Sequence, residues 1–293
     1  MGTINNVCIV GAAGSIGRRH HRCLDVILPD ADIILCDVVD GFINVNDVCK
    51  SKFDLVVVCT PSSKHIDVAS KFINSDSFFI EKPLDSNIEV IRDNLDFFEN
   101  KKTMVSCNLM FSKHMKIVEK NLPNCLFASV KCHTFLPMWR ADYKNLYSSS
   151  FLLGGGIFND AIHDIHYVYQ ILGIPKNIFV VRRRLADYTI DTDDYSMIIF
   201  DYGNKIINIE LSYLCREKQR TCDMTFGNGR RMVVDFASGL SDNSMCTVSD
   251  IDETYAQQWK YFLSTDSPIN SYSYSLKMLD NLANCLSVDR GNL

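Results

Sequence analysis

The sequence predicts an α/β chain in two parts: a doubly wound parallel sheet over residues 1–118, then an α/β domain over 119–293 built on a large, open, mostly antiparallel sheet. Three observations carry this. Short apolar runs alternate with helix-length amphipathic stretches in the first part. Apolar runs succeed one another through tight turns in the second. Apolar residues make up 47% of the 293 and charged residues 22%, enough for a sizeable core in each part.

In chain order, the first part places strands at 7–10, 33–36, 55–59, 78–80 and 104–107, with helical stretches at 16–28, 65–74 and 88–98. The strand runs are continuously apolar, the pattern of a sheet covered on both faces. In the second part strands are expected at 127–133, 178–184, 195–200, 205–214, 220–226 and 232–236. Tyr202-Gly203-Asn204 and Gly227-Asn228-Gly229 supply hairpin chemistry. One strong helix is expected over 158–172, stopped by Gly173 and Pro175. The boundary falls within 113–124, with no internal repeat or long linker.

Several classes are excluded at this level. With 30 basic against 35 acidic residues the net charge is −5, the wrong sign for a chain held mainly by phosphate backbones, so no nucleic-acid partner is expected. No apolar run reaches the roughly 18–20 residues of a membrane span. The start, MGTINNVCIV, lacks the basic and apolar regions of a signal peptide, and Asn6 stands where myristoylation wants Ser or Thr. The 12 cysteines contain no Cys-x-x-Cys pair, and Cys8, Cys36, Cys59 and Cys107 fall in strand-like runs. They read as small buried hydrophobes of a reduced, cytoplasmic protein.

The sharpest local signal is the first strand and turn, Val10-Gly11-Ala12-Ala13-Gly14-Ser15-Ile16-Gly17. A strand, a glycine turn and a helix start can bring backbone N–H groups against a pyrophosphate. The spacing, Gly-x-x-Gly-x-x-Gly, is one residue longer than the commoner fingerprint. The next strand ends in Asp37, about 20 residues on, where a carboxylate accepts ribose hydroxyls and repels a 2′-phosphate. Two further loops follow strand ends: Thr60-Pro61-Ser62-Ser63-Lys64-His65 and Glu81-Lys82-Pro83-Leu84. Taken alone, Lys82 there is equally a surface salt-bridge residue.

Together with Leu136-Pro137-x-Trp139-Arg140, Asp142-Tyr143, Gly154-Gly155-Gly156 and Asp193-Asp194-Tyr195, these segments resemble the Gfo/Idh/MocA family of glucose–fructose oxidoreductase and inositol dehydrogenase. The resemblance covers nearly the whole chain. The Trp-Arg, Asp-Tyr and triple-glycine segment looks most like members that process nucleotide sugars. What it implies is a Rossmann domain, a second domain with an open antiparallel sheet for substrate binding and oligomerisation, NAD rather than NADP as cofactor, and a sugar or nucleotide sugar as substrate. A homodimer or homotetramer would follow from the open sheet face.

The resemblance also implies roles. Lys82 matches the catalytic lysine of the family's Glu-Lys-Pro motif, with a cis bond expected at Lys82-Pro83. The catalytic His matches His163, with Asp160 before it; the family's Asp-x-Gly-x-His is shortened here to Asp-x-x-His. A variant reading Ser-His-Glu-Ile-Asp aligns His163 with its His, Asp164 with its Glu and His166 with its Asp. Cofactor contacts are expected from Gly11, Ala13, Gly14, Ser15, Ile16, Asp37, Thr60, Pro61, Ser62, His65, Glu81, Lys82, Trp139 and Arg140. Substrate contacts are expected from Lys82, Asn108, Tyr143, Asn159 and His163. Asp160, His163 and His166 share a helix face by spacing, but no fourth ligand accompanies them and no metal is expected. Arg182-Arg183-Arg184 alternate across a strand and read as an exposed face or as a holder of substrate phosphate. The alternatives to a sugar dehydrogenase are a catalytically silent NAD and sugar sensor, or a reductase of a non-sugar carbonyl, imine or tetrapyrrole.

Overall fold

The structure is a computed structural model and describes residues 4–187, 189–241, 244–245 and 250–285. Met1, Gly2 and Cys246, which figured in the readings of the N-terminus and the cysteines, lie outside them. The chain forms two compact units, Met1–Asn108 with Ile251–Lys277, and Leu109–Asp250 with Met278–Leu293, each taken over its described residues.

The first unit holds five parallel strands: β1 (Asn6–Val10), β2 (Asp32–Cys36), β3 (Leu55–Val58), β4 (Ser77–Ile80) and β5 (Lys102–Val105), in the order β2-β1-β3-β4-β5. Beyond β2 the chain makes one parallel bridge, Ile43 to Cys36, in place of a further strand. Val7 to Val10 and Leu55 to Val58 are buried throughout, as expected of strands covered on both faces. The helix Ser15–Ile27 lays Gly17, His20 and Leu24 inward, at helical spacing. The helix expected over 65–74 is shorter, His65–Ala69, and the one over 88–98 is interrupted at Asn94 (φ −104°, ψ 7°) between Ile88–Asp93 and Leu95–Phe98.

A single boundary near residue 118 does not describe the first unit, because the helix Ile251–Ser264 returns to it. Trp259 and Phe262 of that helix are fully buried, Trp259 with its ring 4.2 Å from Phe79 of β4. Rings buried this completely contribute roughly 1.5–3 kcal/mol each. Arg19 on the first helix pairs with Asp252 at 2.6 Å.

The second unit is built on an eight-stranded sheet: β6 (Phe127–Phe135), β7 (Asn177–Arg183), β8 (Tyr195–Asp201), β9 (Ile206–Ser212), β10 (Leu214–Thr225), β11 (Arg231–Asp235), β12 (Leu240–Ser241) and β13 (Ser244–Met245), ordered β13-β12-β11-β10-β6-β9-β8-β7. Among the described residues of this sheet, only β6 and β9 pair in parallel. Residues 215–219, read from sequence as lying between strands, belong to β10, which pairs with β6 across a register shift between Leu214 and Gln219. The chain turns between β9 and β10 at Tyr213, fully buried, whose N–H bonds to the Asp194 carbonyl at 2.8 Å. The helix expected over 158–172 is two, Ile157–Asp160 and Ile162–Leu172, divided at Ala161 (φ −100°, ψ 19°). Asp160 and His163 therefore sit on different helical segments.

Candidate functional site

In the first unit the glycine turn is shaped by close approach. Gly11 has φ +84°, and a Cβ there would stand 2.5 Å from the Cys59 carbonyl oxygen at the end of β3. A Cβ on Gly17 would stand 2.2 Å from the Gly11 carbonyl oxygen. Gly14 caps the helix Ser15–Ile27 without a side-chain hydrogen bond, and the first turn holds no acidic residue. The helix N-terminus thus keeps its positive end without a carboxylate of its own. Asp37, half-buried at the end of β2, accepts the Ala13 N–H at 2.9 Å and the Val38 N–H at 2.7 Å. Across the turn, Thr60 Oγ1 and Ser63 Oγ are buried with no hydrogen-bond partner among the described residues. Ser62 is buried and Pro61 exposed. Orphaned hydroxyls, an uncapped helix start and a carboxylate at the next strand end fit a dinucleotide, the hydroxyls and N–H groups toward phosphate and Asp37 toward ribose.

The loop after β4 is tied to the loop after β3 by His65, whose Nδ1 lies 2.7 Å from the Pro83 carbonyl and Nε2 2.8 Å from the Thr60 carbonyl. The Lys82-Pro83 bond is cis, as expected. Lys82 is half-buried, while Glu81 lies beneath it, almost fully buried. Burial works to raise the Glu81 pKa, but the hydrogen bond from His20, the Lys82 charge and a hydrogen bond from Ser106 hold it below the ordinary glutamate value. Asn108, also half-buried, donates from Nδ2 to Thr254 Oγ1 at 3.2 Å.

In the second unit the structure joins three segments that the sequence holds far apart. A Cβ on Gly156 (φ +100°) would stand 2.3 Å from Asp193 Oδ1, and one on Gly155 2.2 Å from the Tyr147 carbonyl oxygen. Asp193 is buried and accepts from Arg182 at 2.5 Å, the Phe158 N–H at 3.0 Å and Ser196 Oγ at 2.7 Å. Arg182 also covers the Phe158 ring at 4.5 Å, while Arg184 donates to the Ile190 carbonyl, so the three arginines form no common patch. Asn159 donates back to the Gly154 and Gly155 carbonyls at 3.0 and 3.3 Å.

Asp160 is buried and held by three donors. Tyr147 and Tyr213 donate their phenolic O–H groups to it, the latter at 2.5 Å, and Arg140 approaches at 3.2 Å. Burial and the Asp160 charge push both phenols well up, so they stay protonated as donors. The Arg140 guanidinium lies 4.2 Å over the Trp139 ring, itself 46% exposed. Tyr143 is buried, its carbonyl accepting from Ser149 Oγ at 2.6 Å. His163 is half-buried in the first turn of Ile162–Leu172. The adjacent Asp164, fully buried, binds Arg220 of β10 at 2.7 Å and anchors that turn to the sheet. His166 is buried one turn on.

Four of these residues carried no role in the sequence reading: His20, Tyr147, Tyr213 and Trp259. Nothing local distinguishes any of them from core side chains. Of the expected cofactor and substrate residues, those from Gly11 to Asn108 belong to the first unit and those from Trp139 to His163 to the second.

Residues 36–109 match the family model described as an oxidoreductase family with an NAD-binding Rossmann fold, and 128–237 match that of the GFO/IDH/MocA C-terminal domain. Inositol 2-dehydrogenase of Rhizobium meliloti is 27% identical over 208 residues, 64% of this chain. The match spans 61% of that curated relative's length. Among solved structures, the WlbA dehydrogenase of Bordetella pertussis, in complex with NADH and UDP-GlcNAcA, superposes with a TM-score of 0.80 at 16% identity, over 97% of this chain and 96% of that one. The UDP-N-acetylglucosamine 3-dehydrogenase GnnA of Acidithiobacillus ferrooxidans does so with a TM-score of 0.71 at 15% identity, over 98% and 97%. At such identities the likeness is one of fold.

Proposed function

Because the chain belongs to the Gfo/Idh/MocA oxidoreductase family, we propose that it is an NAD-dependent dehydrogenase of a secondary alcohol on a sugar ring, the sugar being nucleotide-linked. The observation that carries the reading is an uncapped, glycine-shaped helix start after β1, with Asp37 after β2 and Lys82 after β4 at the ends of strands of the same parallel sheet. The two nucleotide-sugar dehydrogenases of like fold support the substrate class; the inositol dehydrogenase supports a cyclic polyol as the second candidate.

The nicotinamide, when bound, supplies the hydride acceptor. The chain's own residues manage the proton and the charge. His163 accepts the hydroxyl proton, and Lys82 hydrogen-bonds the same oxygen as it gains negative charge. Asp160, already accepting from two phenols and a guanidinium, serves to place Arg140 and Tyr147 and does not act as the base. Asp37 sets the preference for NAD over NADP. Cytoplasmic setting and assembly as a homodimer or homotetramer belong to the same proposal. The described cysteines carry no disulfide, and Phe127 and Ile206, register partners on β6 and β9, are exposed.

A single-turnover assay tests the reading. The purified chain is mixed with NAD and, separately, UDP-N-acetylhexosamines, their uronic acids and inositols, and absorbance of NADH is followed. One stoichiometric equivalent of NADH with a UDP-sugar is expected. NAD binding with no turnover on any of them would favour the sensor reading. His163→Asn should then keep sugar binding and lose most turnover, with a milder loss for His166→Asn; the reverse order would move the base to His166.

A further inference from the structure

Glu81 is the inner end of a buried polar chain that the family motifs do not describe. Trp259 Nε1 donates to His20 Nδ1 at 3.0 Å, and His20 Nε2 lies 2.8 Å from Glu81 Oε1. An indole N–H can only donate, so His20 Nδ1 is the acceptor and the ring proton sits on Nε2, directed at the carboxylate. The imidazole is locked edge-on by Phe79, Tyr255 and Trp259, with ring centroids 5.2–5.4 Å away. The other carboxylate oxygen, Oε2, accepts the backbone N–H of Lys82 at 3.2 Å. A second limb comes from the same helix. Gln258 accepts the Cys107 N–H at 2.6 Å and donates to Ser106 Oγ at 3.4 Å, and Ser106 hydrogen-bonds Glu81. Trp259, His20 and Gln258 are all completely buried.

We infer that Trp259 and His20 are positioning residues for Lys82, fixing through one imidazole tautomer the carboxylate that holds the Lys82 backbone and sets a negative neighbour beside its ammonium. The inference rests on the role given to Lys82 above. Because the indole N–H donates to Nδ1, His20 meets Glu81 as a neutral N–H donor, beside a hydroxyl and a backbone amide, and Lys82 is the cation that shares in balancing the Glu81 charge. The other titratable groups that feel Glu81, Cys59 and Cys107, are thiols pushed up by burial first and by the Glu81 charge second, and both stay neutral near pH 7. The field of the carboxylate is therefore directed at Lys82.

The test uses Trp259→Phe, which keeps a buried ring and removes the donor, with His20→Gln and His20→Phe beside it. A glutamine amide can accept from the indole and donate to Glu81; phenylalanine can do neither. Two readouts need no turnover. In the cofactor-free chain, ¹⁵N NMR of His20 should show a protonated Nε2 and a bare Nδ1. The Lys82 ammonium, followed by NMR titration, should lose its proton at lower pH in Trp259→Phe and His20→Phe than in wild type or His20→Gln. With the sugar identified by the panel above, kcat should fall about tenfold in Trp259→Phe, the scale of one charge-assisted hydrogen bond. The KM for sugar and the Kd for NADH should stay within about twofold, and the basic limb of the kcat profile should move to lower pH. A His20 proton on Nδ1, or an unmoved Lys82 titration in folded Trp259→Phe, overturns the inference. If Trp259→Phe does not fold, the contrast between His20→Gln and His20→Phe decides it by the same titration. Absence of turnover in wild type would instead sink the dehydrogenase reading and leave the two NMR results to judge the positioning.

Discussion

Glu81 in the first unit and Asp160 in the second are both buried carboxylates in segments named for catalysis, yet the protein compensates them in opposite ways. Asp160 faces a guanidinium and two phenols, so its charge is met by a cation and its lone pairs by strong donors. Glu81 faces an imidazole N–H, a hydroxyl and a backbone amide, with the nearby ammonium of Lys82 as its charged neighbour. A carboxylate paired with its own arginine is an anchor. One held by neutral donors still projects its charge, and here the recipient is the residue assigned to alkoxide stabilisation.

The largest effect that separates the two is on stability. Asp160→Asn strips the counter-ion from Arg140, whose side chain is 19% exposed, and should cost about 3 kcal/mol in urea unfolding. A loss below about 1 kcal/mol would mean that the phenols, not the ion pair, carry the anchor. Next, Lys82→Met should cut turnover by about 10² or more while leaving NADH affinity within a few-fold, since its part is played as charge develops. Ordinary kcat in that variant would remove the purpose of the Glu81 arrangement.

A third carboxylate sharpens the contrast. Asp37 is only half-buried and accepts backbone N–H groups alone, so its field reaches a ligand. Fluorescence titration should show NADH bound at least about tenfold more tightly than NADPH, and Asp37→Ser should narrow the gap. Equal affinities in wild type would place the ribose elsewhere, or give Arg18 or Arg19 a compensating role.

The smallest effect is a pH dependence. The Glu81 pKa is held below its unfolded value of about 4.3, so the unfolded chain binds the extra proton. Its stability contribution is complete above that value and is lost as pH falls through the folded pKa. Glu81→Gln should therefore flatten the stability curve below about pH 4.3; an unchanged acid slope would show that other carboxylates dominate it.

Much of the fold was legible because its signals are local. The run into Gly11 and the continuous apolar strands each follow from a few neighbouring residues. The break at Ala161 was not, since Ile157 to Leu172 is apolar at helical spacing and the interruption coincides with Asp160 being bound by Tyr147 and Tyr213. The strand character of residues 215–219 was hidden for a similar reason. Their polarity gives no strand signal, and they continue β10 across the irregular stretch between the Leu214 and Gln219 pairings with β6.

The candidate site divides along the same line. Sequence alone named the glycine turn, Asp37, Lys82, His163 and the family they belong to, because chemistry with a cofactor demands particular residue types at short, fixed spacings. Tertiary structure alone decided which partners compensate each charge. Trp259 reaches His20 across 239 positions and Tyr213 reaches Asp160 across 53, and no local periodicity records such pairs. A buried charge is tolerated only where folding delivers donors from distant segments, so the partners of Glu81 and Asp160 were decided by packing and not by the motifs that contain them.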